Sequence, residues 1–315
     1  MYFDFRHLEV TLARSIERNQ LQIRGLDYGL EEIYPGAMTG KGGNSCVFSA
    51  IPFIADAPSY VVKFCKYPYK PDNANYTKRL KRFKHEMQAL KKAKESQFSD
   101  HVIDIITPGK LTLKSQGREG ITEVEMLYYV MEKADCDLSK YLEERDLSLS
   151  DKLDLVCKIA KALHGLHSLG LRHRDLKPDN IFFVGDQLKL GDLGLVEDQA
   201  RDYSIDRIDE KIGPLGFLSP EAINKAFGDR QRMPFPEQAV ICEKSDIYQL
   251  GLIVFFILQG EIPTGCLLQD DFQEDWRSHS NLVDAIVSLL QFRKSRRMEL
   301  EPLVEALTQY LQCPS

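Results

Sequence analysis

The sequence predicts an α+β protein in which a small strand-rich lobe with one key helix is followed by a larger helical lobe. Segments rich in branched and aromatic residues, which are typical of strands, dominate the chain before Ala134. After Ala134, long apolar segments with helical spacing replace them, above all Leu153–Leu169 and Lys244–Gln259. The change of pattern predicts the order of the two lobes.

The strands of the first lobe are predicted from short runs: Cys46–Ala50, Tyr60–Phe64, Val102–Thr107, Leu111–Leu113 and Leu127–Met131. A polar, basic helix is predicted between them over Tyr76–Lys94, where apolar residues recur at helical intervals. In the second lobe, Asn281–Gln291 and Leu300–Gln312 predict further helices. We place the lobes at about residues 34–132 and 135–315 of one domain, 34–315.

Residues 1–33 are predicted to form an N-terminal extension of that domain. Phe5, Leu8, Leu12 and Ile16 have helical spacing, which predicts a helix from Met1 to about Gln22 with one apolar stripe. The stripe could pack on the body of the protein or bind a partner, and we expect packing.

The composition excludes several classes of protein. A net charge of −6 disfavours a non-specific binder of nucleic acid or membrane surfaces. Seven cysteines without a C-x-x-C pair favour free thiols in a reducing compartment over disulfides or a zinc site. The most apolar segment, Leu250–Leu258, is far too short to cross a bilayer, and no secretory signal is visible. We therefore expect a soluble, cytoplasmic protein.

The segment Leu171–Asn180 reads LRHRDLKPDN and places an acid, several cations and an amide around Pro178. Proline argues against a helix interior and drives the preceding residue toward extended geometry, so a loop is predicted. A polar surface turn would have the same composition. A catalytic loop requires partners for these charges elsewhere in the chain.

Three other places offer such partners. Gly40–Val47 reads GKGGNSCV, which suits backbone amides around a phosphate, although a glycine-rich hairpin turn explains it equally well. Lys63 lies within a predicted strand, where a charge needs a partner, and Glu86 on the basic helix is the best-placed acid, although taken alone Glu86 is better explained as part of a solvated helix face. Asp192-Leu193-Gly194 follows an apolar strand, and Asp192 with Asn180 offers hard oxygen ligands for Mg²⁺.

The order and spacing of these features match the protein-kinase signature set: glycine-rich loop, strand lysine, helix glutamate, HRDLKPDN, DLG and Ser219-Pro220-Glu221. The chain resembles the eukaryotic-type (Hanks-type) Ser/Thr protein kinases over about residues 34–310. The resemblance implies a bilobal protein-kinase-like fold, ATP and Mg²⁺ as cofactors, and protein substrates.

The resemblance also implies roles for individual residues. Asp175 would be the catalytic base, and Lys177 would stabilise the transferring phosphoryl group. Lys63, positioned by Glu86, would contact the α/β-phosphates. Asn180 and Asp192 would hold Mg²⁺, and the nucleotide-binding set would also include Gly40, Gly42, Gly43, Ser45, Val47, Val61, Met131, Glu132, Ala134, Asp137 and Phe182.

Three supporting interactions are implied in the second lobe. Asp246 resembles the buried acid that braces the catalytic loop. Glu221 would pair with Arg297 in preference to Arg296. Arg174 would bind either a phosphate on the activation segment, between Asp192 and Glu221, or one of its carboxylates: the hydroxyls between Gly194 and Gly213 are Tyr203 and Ser204, and the acids there are Glu197, Asp198, Asp202, Asp206, Asp209 and Glu210.

The sequence departs from the family pattern near the end of the activation segment. Pro214 stands where a threonine usually bonds the catalytic aspartate and lysine, and Phe217 replaces a tyrosine. Asn224–Val240 is expected to be an inserted surface loop. These departures concern substrate docking, and Pro214 keeps a small-molecule phosphotransferase open as an alternative function. A pseudokinase scaffold, which binds without catalysis, is a further alternative.

Overall fold

The computed structural model describes residues 3–6, 9–12, 19–33, 45–66, 74–117, 120–200, 206, 211–214, 216–231, 239–262, 271 and 280–312. The chain forms two compact units, one of Met1–Lys94 with Ile103–Lys133, the other of Glu95–Val102 with Ala134–Ser315. The first unit is rich in strands and the second in helices, which confirms the predicted α+β fold class. The chain passes for the last time from the first unit into the second at Ala134, the position at which the sequence pattern changes from strands to helices.

The first unit contains eight described strands and one helix: β1 (Phe3–Arg6), β2 (Glu9–Leu12), β3 (Gln20–Ile23), β4 (Leu26–Glu32), β5 (Ser45–Pro52), β6 (Tyr60–Cys65), α1 (Ala74–Lys94), β7 (Ile105–Gly117) and β8 (Gly120–Glu132). Six strands form an antiparallel sheet in the order β3-β4-β5-β6-β8-β7. β1 and β2 form a separate antiparallel pair. The predicted strands over Cys46–Ala50, Tyr60–Phe64 and Leu127–Met131 lie in β5, β6 and β8.

The helix predicted over the N-terminal extension is wrong. Residues 3–6 and 9–12 pair as the antiparallel strands β1 and β2, which lie beside β7 and β4, and residues 20–32 form a hairpin within the main sheet. Arg24 and Gly25 connect β3 to β4 with positive φ angles of 50° and 83°, as in two-residue hairpin turns. Apolar runs this short do not distinguish a helical period from alternation, and pairing with neighbouring strands decides the outcome.

Alternation along the central strands gives the sheet two different faces. One face carries an apolar cluster that includes Tyr28, Phe48, Val62, Phe64 and Val130. The other face carries Lys63 and receives α1, whose Phe83 ring lies 5.4 Å from the ring of Tyr129. Because side chains alternate strictly along a strand, a slip of one residue would place Lys63 in the apolar cluster.

The second unit contains short strands and longer helices: β9 (Cys136–Asp137), α2 (Leu138–Glu143), α3 (Leu149–Ser168), β10 (Leu171–Arg172), β11 (Ile181–Val184), β12 (Gln187–Leu190), β13 (Glu197–Asp198), α4 (Pro220–Gln231), α5 (Glu243–Gln259), α6 (Ser280–Leu289) and α7 (Leu300–Gln312). Ser148 and Asp151 form a reciprocal capping box that begins α3. Helix α5 is buried along nearly its whole length, which explains its apolar sequence. No helix within the described ranges has both the length and the apolar character needed to cross a membrane.

The segment Asn224–Val240 differs from the expected surface loop. Its first part continues α4 as far as Gln231, because Gly228 alone does not break a helix. Phe227 and Val240 are about half exposed, in agreement with a surface position. Residues 232–238, which contain both prolines of the segment, lie outside the described residues.

Candidate active site

The strand lysine and the helix glutamate predicted from the sequence form a buried ion pair. The Nζ of Lys63 on β6 lies 2.6 Å from Oε1 of Glu86 on α1, and both side chains are at most 6% exposed. Burial beside Glu86 raises the pKa of the neighbouring Cys65 thiol to about 12, so that thiol stays protonated. An ammonium group in this apolar setting depends on its carboxylate partner.

The apolar residues predicted for the nucleotide site share one face of the sheet with Lys63. Val47 pairs with Lys63 across β5 and β6, and Val61 pairs with Met131 across β6 and β8. Paired residues in antiparallel strands, and residues two apart on one strand, point to the same face. The register therefore places Val47, Val61, Lys63 and Met131 together.

The other residues predicted to bind the nucleotide are distributed over both units of the chain. Ser45 begins β5 and is buried, and the Glu132 carboxylate accepts a hydrogen bond of 2.6 Å from the Asp104 amide. In the second unit, Phe182 on β11 pairs with Asp137 on β9, and Asp137 also caps α2 by accepting from the Lys140 amide at 2.9 Å. Ala134 is the first residue of the longer segment of the second unit. Gly40, Gly42 and Gly43 lie outside the described residues.

Helix α5 holds the backbone of the predicted catalytic loop. Asp246 accepts hydrogen bonds from the backbone amides of His173 (2.8 Å) and Arg174 (2.7 Å) and contacts Nε2 of His167 at 2.9 Å. Burial opposes the charge of Asp246, but these bonds and the nearby imidazoles outweigh it and lower the pKa of Asp246. Arg174 has a φ of 64°, an uncommon conformation for a non-glycine residue. The ionised Asp246 thus fixes a strained turn next to Asp175.

His173 is a neutral member of the loop. It is fully buried, which lowers its pKa, against the opposing influence of Asp246 and Asp192. Its Nε2 lies 3.1 Å from the carbonyl oxygen of Gly191, and its Nδ1 lies 3.3 Å from the backbone amide of Asp175. A neutral ring protonated on Nε2 satisfies both contacts, because Nδ1 is then free to accept. If Nδ1 carried the proton instead, its N–H group and the N–H group of Asp175 would face each other, and neither could accept.

The Asp175 carboxylate is oriented by Asn180. The Nδ2 of Asn180 donates to Oδ2 of Asp175 at 3.0 Å and to its carbonyl oxygen at 2.7 Å. Lys177, two residues after Asp175, is 27% exposed and lies 3.7 Å from the carboxylate of Asp179. The Asp175 carboxylate is therefore held in place by an amide donor, in the same loop as a partly exposed ammonium group.

The β11–β12 hairpin brings the two predicted metal ligands to one end of the unit. Asn180 directly precedes β11, and Asp192 lies two residues after the end of β12. The amide of Gly191 donates to the carbonyl oxygen of Asn180 at 2.9 Å. Because its Nδ2 is engaged with Asp175, Asn180 has its side-chain oxygen available, and Asp192 is exposed with a φ of 51°. One amide oxygen and one carboxylate form a hard donor set that suits Mg²⁺.

Arg174 meets a carboxylate of the activation segment. Its Nη1 lies 2.5 Å from Oδ2 of Asp206, its Nε donates to the Leu195 carbonyl at 2.7 Å, and Glu197 lies 3.7 Å away. The side chains of Arg174 and Asp206 are 6% and 1% exposed. The sequence left either a phosphate or a carboxylate open as the partner of Arg174, and in the structure the partner is a carboxylate. Tyr203 and Ser204 lie outside the described residues.

The predicted pair between Glu221 and Arg297 is confirmed. The two side chains form a bidentate, buried contact of 2.8 and 3.2 Å. The other guanidinium hydrogens donate to the carbonyls of Gln291, Lys244 and Phe292, so all five donors are used. Arg296, the neighbour that the sequence could not exclude, is exposed.

Two polar features escaped the sequence analysis. Arg172 forms ion pairs with Glu197 on β13 (3.0 Å) and Glu243 on α5 (2.9 Å), which ties the activation segment to α5. Gln249 is buried on α5 three residues after Asp246 and accepts from the Leu176 amide at 3.1 Å. The sequence signal for Gln249 was a polar residue within an apolar helix, three positions after the acid Asp246.

Comparisons with known proteins agree with this geometry. The chain is 26% identical to the dual specificity protein kinase TTK of Mus musculus over 71% of its length and 24% of that protein. It is 31% identical to a Wee1-like protein kinase of Arabidopsis thaliana over 44% of its length and 25% of that protein. It is also 26% identical to a probable serine/threonine-protein kinase of Clostridium acetobutylicum over 71% of its length and 29% of that protein.

The chain thus spans less than a third of the length of these curated relatives. The match to a whole family is broader, because the model of the protein kinase domain covers residues 36–310. By this match, the chain belongs to the protein kinase domain family.

Proposed function

We propose that the protein is a Ser/Thr protein kinase that transfers the γ-phosphoryl group of ATP to hydroxyls of protein substrates with Mg²⁺. The observation that carries the proposal is the double hydrogen bond from Asn180 to Asp175, which fixes a carboxylate two residues before Lys177 in the chain. Phosphoryl transfer depends on positioning and charge stabilisation more than on covalent chemistry. A fixed carboxylate in the same loop as a lysine suits that requirement.

In this proposal, Asp175 orients the attacking hydroxyl and accepts its proton. Lys177 neutralises charge on the transferring group, and Lys63, held by Glu86, binds the α/β-phosphates. Asn180 and Asp192 would hold Mg²⁺, which would neutralise phosphate charge when bound. Lysine at position 177 favours the Ser/Thr over the Tyr branch of the family.

The other nucleotide contacts are assigned by position. Val47 and Val61, on the sheet face of Lys63, would cover the adenine on one side, and Phe182 would cover it on the other. Met131 would be the gatekeeper, and the backbone of Glu132 and Ala134 would bind the adenine edge. Asp137 and Ser45 would line the site, and Gly40, Gly42 and Gly43 would cradle the phosphates.

We also propose a cytoplasmic location and protein substrates as the partners. Cys65, Cys136, Cys157 and Cys242 are thiols that form no disulfide. Persistent thiols are typical of a reducing compartment.

Incubation with γ-labelled ATP, Mg²⁺ and generic protein substrates tests the function. We expect label on serine and threonine in the wild-type reaction, and at least a 100-fold loss in Asp175→Asn with ATP affinity retained. Asp186→Asn, which alters an exposed acid in the β11–β12 turn, is the matched control and should remain active. ATP binding without transfer in the wild type would indicate a pseudokinase scaffold. Labelling of small molecules alone would indicate a small-molecule phosphotransferase.

A further inference from the structure

Gln249 is a buried polar residue in an apolar helix. It lies on α5, is 2% exposed, and directly precedes the apolar run Leu250–Leu258. A carboxamide removed from water is unfavourable unless its polar atoms are bonded. The partner of Gln249 therefore indicates why a polar side chain is present at this position.

That partner is the catalytic loop. The Oε1 of Gln249 accepts a hydrogen bond of 3.1 Å from the backbone amide of Leu176, the residue after Asp175. Asp246, one turn earlier on the same face of α5, accepts from the amides of His173 and Arg174. The two side chains thus hold the backbone on both sides of Asp175.

The same carboxamide lies against the end of the activation segment. A Cβ at Gly213 would be 3.3 Å from Nε2 of Gln249, 3.3 Å from the Arg174 carbonyl oxygen and 3.0 Å from the Leu218 side chain. Gly213 has a φ of 109°, which side chains rarely tolerate. The next residue, Pro214, is buried and has neither an N–H group nor a hydroxyl to offer.

We propose that Gln249 is a positioning residue for phosphoryl transfer. Through the Leu176 amide it fixes the direction of the Asp175 carboxylate, and through Gly213 it links that direction to the end of the activation segment. The inference rests on the proposed function, because Asp175 must act on the acceptor hydroxyl. A displacement of about 1 Å in such a group costs on the order of 100-fold in rate.

The test compares three variants of the full chain. Gln249→Met has a similar shape but removes the acceptor for Leu176, whereas Gln249→Glu retains an oxygen at that place. Gln259→Met is the matched control, because it makes the same change at the end of α5, where Nε2 has no hydrogen-bond partner among the described residues. The measurements are kcat per ATP-binding site, KM for a protein substrate, the dissociation constant of ATP, and Tm.

We expect Gln249→Met to lower kcat per ATP-binding site by about 10- to 100-fold, with the ATP dissociation constant changed less than about twofold. Gln249→Glu should recover most of the loss, and Gln259→Met should match the wild type. A purely structural role would lower Tm and the number of binding sites but not kcat per site, and that result would overturn the inference. If Gln249→Met does not fold, Gln249→Asn replaces it with the same expectation, since its amide is one methylene too short to reach Leu176.

The outcomes for Gln249 and for the proposed function are distinct. A wild-type protein that transfers no phosphoryl group would overturn the proposed function and this inference with it. An active wild type whose Gln249 variants keep full kcat per site would overturn the inference alone.

Discussion

Asp206 forms a buried ion pair with Arg174, the residue immediately before the proposed catalytic base, at 2.5 Å. Arg174 also donates to the Leu195 carbonyl, so the pair connects the catalytic loop to two points on the activation segment. In related switches a phosphate on the activation segment binds such an arginine and orders the segment. Here a carboxylate occupies that position without any modification.

We therefore expect the kinase to be active without phosphorylation of its activation segment. Asp206→Ala should lower kcat/KM for a protein substrate by about tenfold or more, because Arg174 loses its buried counter-charge. Asp206→Glu, which retains the charge, is the matched variant and should lose less. The combined change Ser204→Ala with Tyr203→Phe should leave turnover unchanged. A large loss in that double variant would instead identify a phosphate as the activating partner.

The buried pair of Glu221 and Arg297 should contribute to stability. Glu221→Ala leaves the Arg297 guanidinium buried without its counter-charge and should cost about 3–5 kcal/mol in the free energy of unfolding of the second unit. Arg296→Ala, an exposed neighbour, should change it by less than about 0.5 kcal/mol. Urea denaturation monitored by tryptophan fluorescence and circular dichroism measures both.

A double variant tests whether the two residues act on each other. Glu221→Ala combined with Arg297→Ala should cost clearly less than the sum of the single changes, since neither charge then remains alone. Arg297→Ala by itself should be the more damaging single change, because it also leaves three backbone carbonyls without their donor. Strict additivity would contradict a direct contribution from the pair.

The Lys63–Glu86 pair should affect activity and stability together. Lys63→Met leaves the Glu86 carboxylate buried and removes the proposed phosphate ligand, so we expect at least a 100-fold loss of transfer and a lower Tm. Lys110→Met is the matched control, because Lys110 pairs with Glu125 at the surface of the same sheet. It should change Tm little. Full activity in Lys63→Met would contradict the assignment of Lys63 to the nucleotide site.

The second unit should lose stability on mild acidification. Burial lowers the pKa of His173 in the folded protein below the 6.5 of a free imidazole, so the unfolded chain binds a proton that the folded chain excludes. Stability therefore falls as the pH drops through about 6.5, by up to about 1.4 kcal/mol per pH unit. The pKa of Asp246 is also lowered in the folded state, and its contribution is lost at more acidic pH, below the unfolded value of 3.8.

Tm measured between pH 7.5 and 5.5 tests this expectation. The decrease should be smaller in His173→Gln than in the wild type, even though the variant is less stable at neutral pH. His164→Gln, which alters a partly exposed histidine on α3, should keep the wild-type slope. An unchanged slope in His173→Gln would assign the pH dependence to other groups.

The sequence by itself determined the order of the two lobes, the presence of the HRDLKPDN loop and most pairs of the proposed site. HRDLKPDN, Asp192-Leu193-Gly194 and the strand lysine are local patterns with a specific order, and the charges in them have few compatible partners. A charge inside a strand requires a counter-charge whatever the fold, and together with the resemblance to the protein kinases this named Glu86 as the partner of Lys63. Long apolar helices such as α3 and α5 are similarly determined by their own periodicity.

Only the tertiary structure decided which of several equivalent residues is used. Six acids of the activation segment were candidate partners of Arg174, and the structure pairs it with the buried Asp206, with Glu197 3.7 Å away. The role of Gln249 could be inferred only from the structure, in which α5 brings its side chain to the Leu176 amide. Residues 3–6 and 9–12 are strands because they pair with each other, although the apolar spacing also fitted a helix. Each choice depends on distance and burial between segments far apart in the chain, and local sequence patterns do not contain that information.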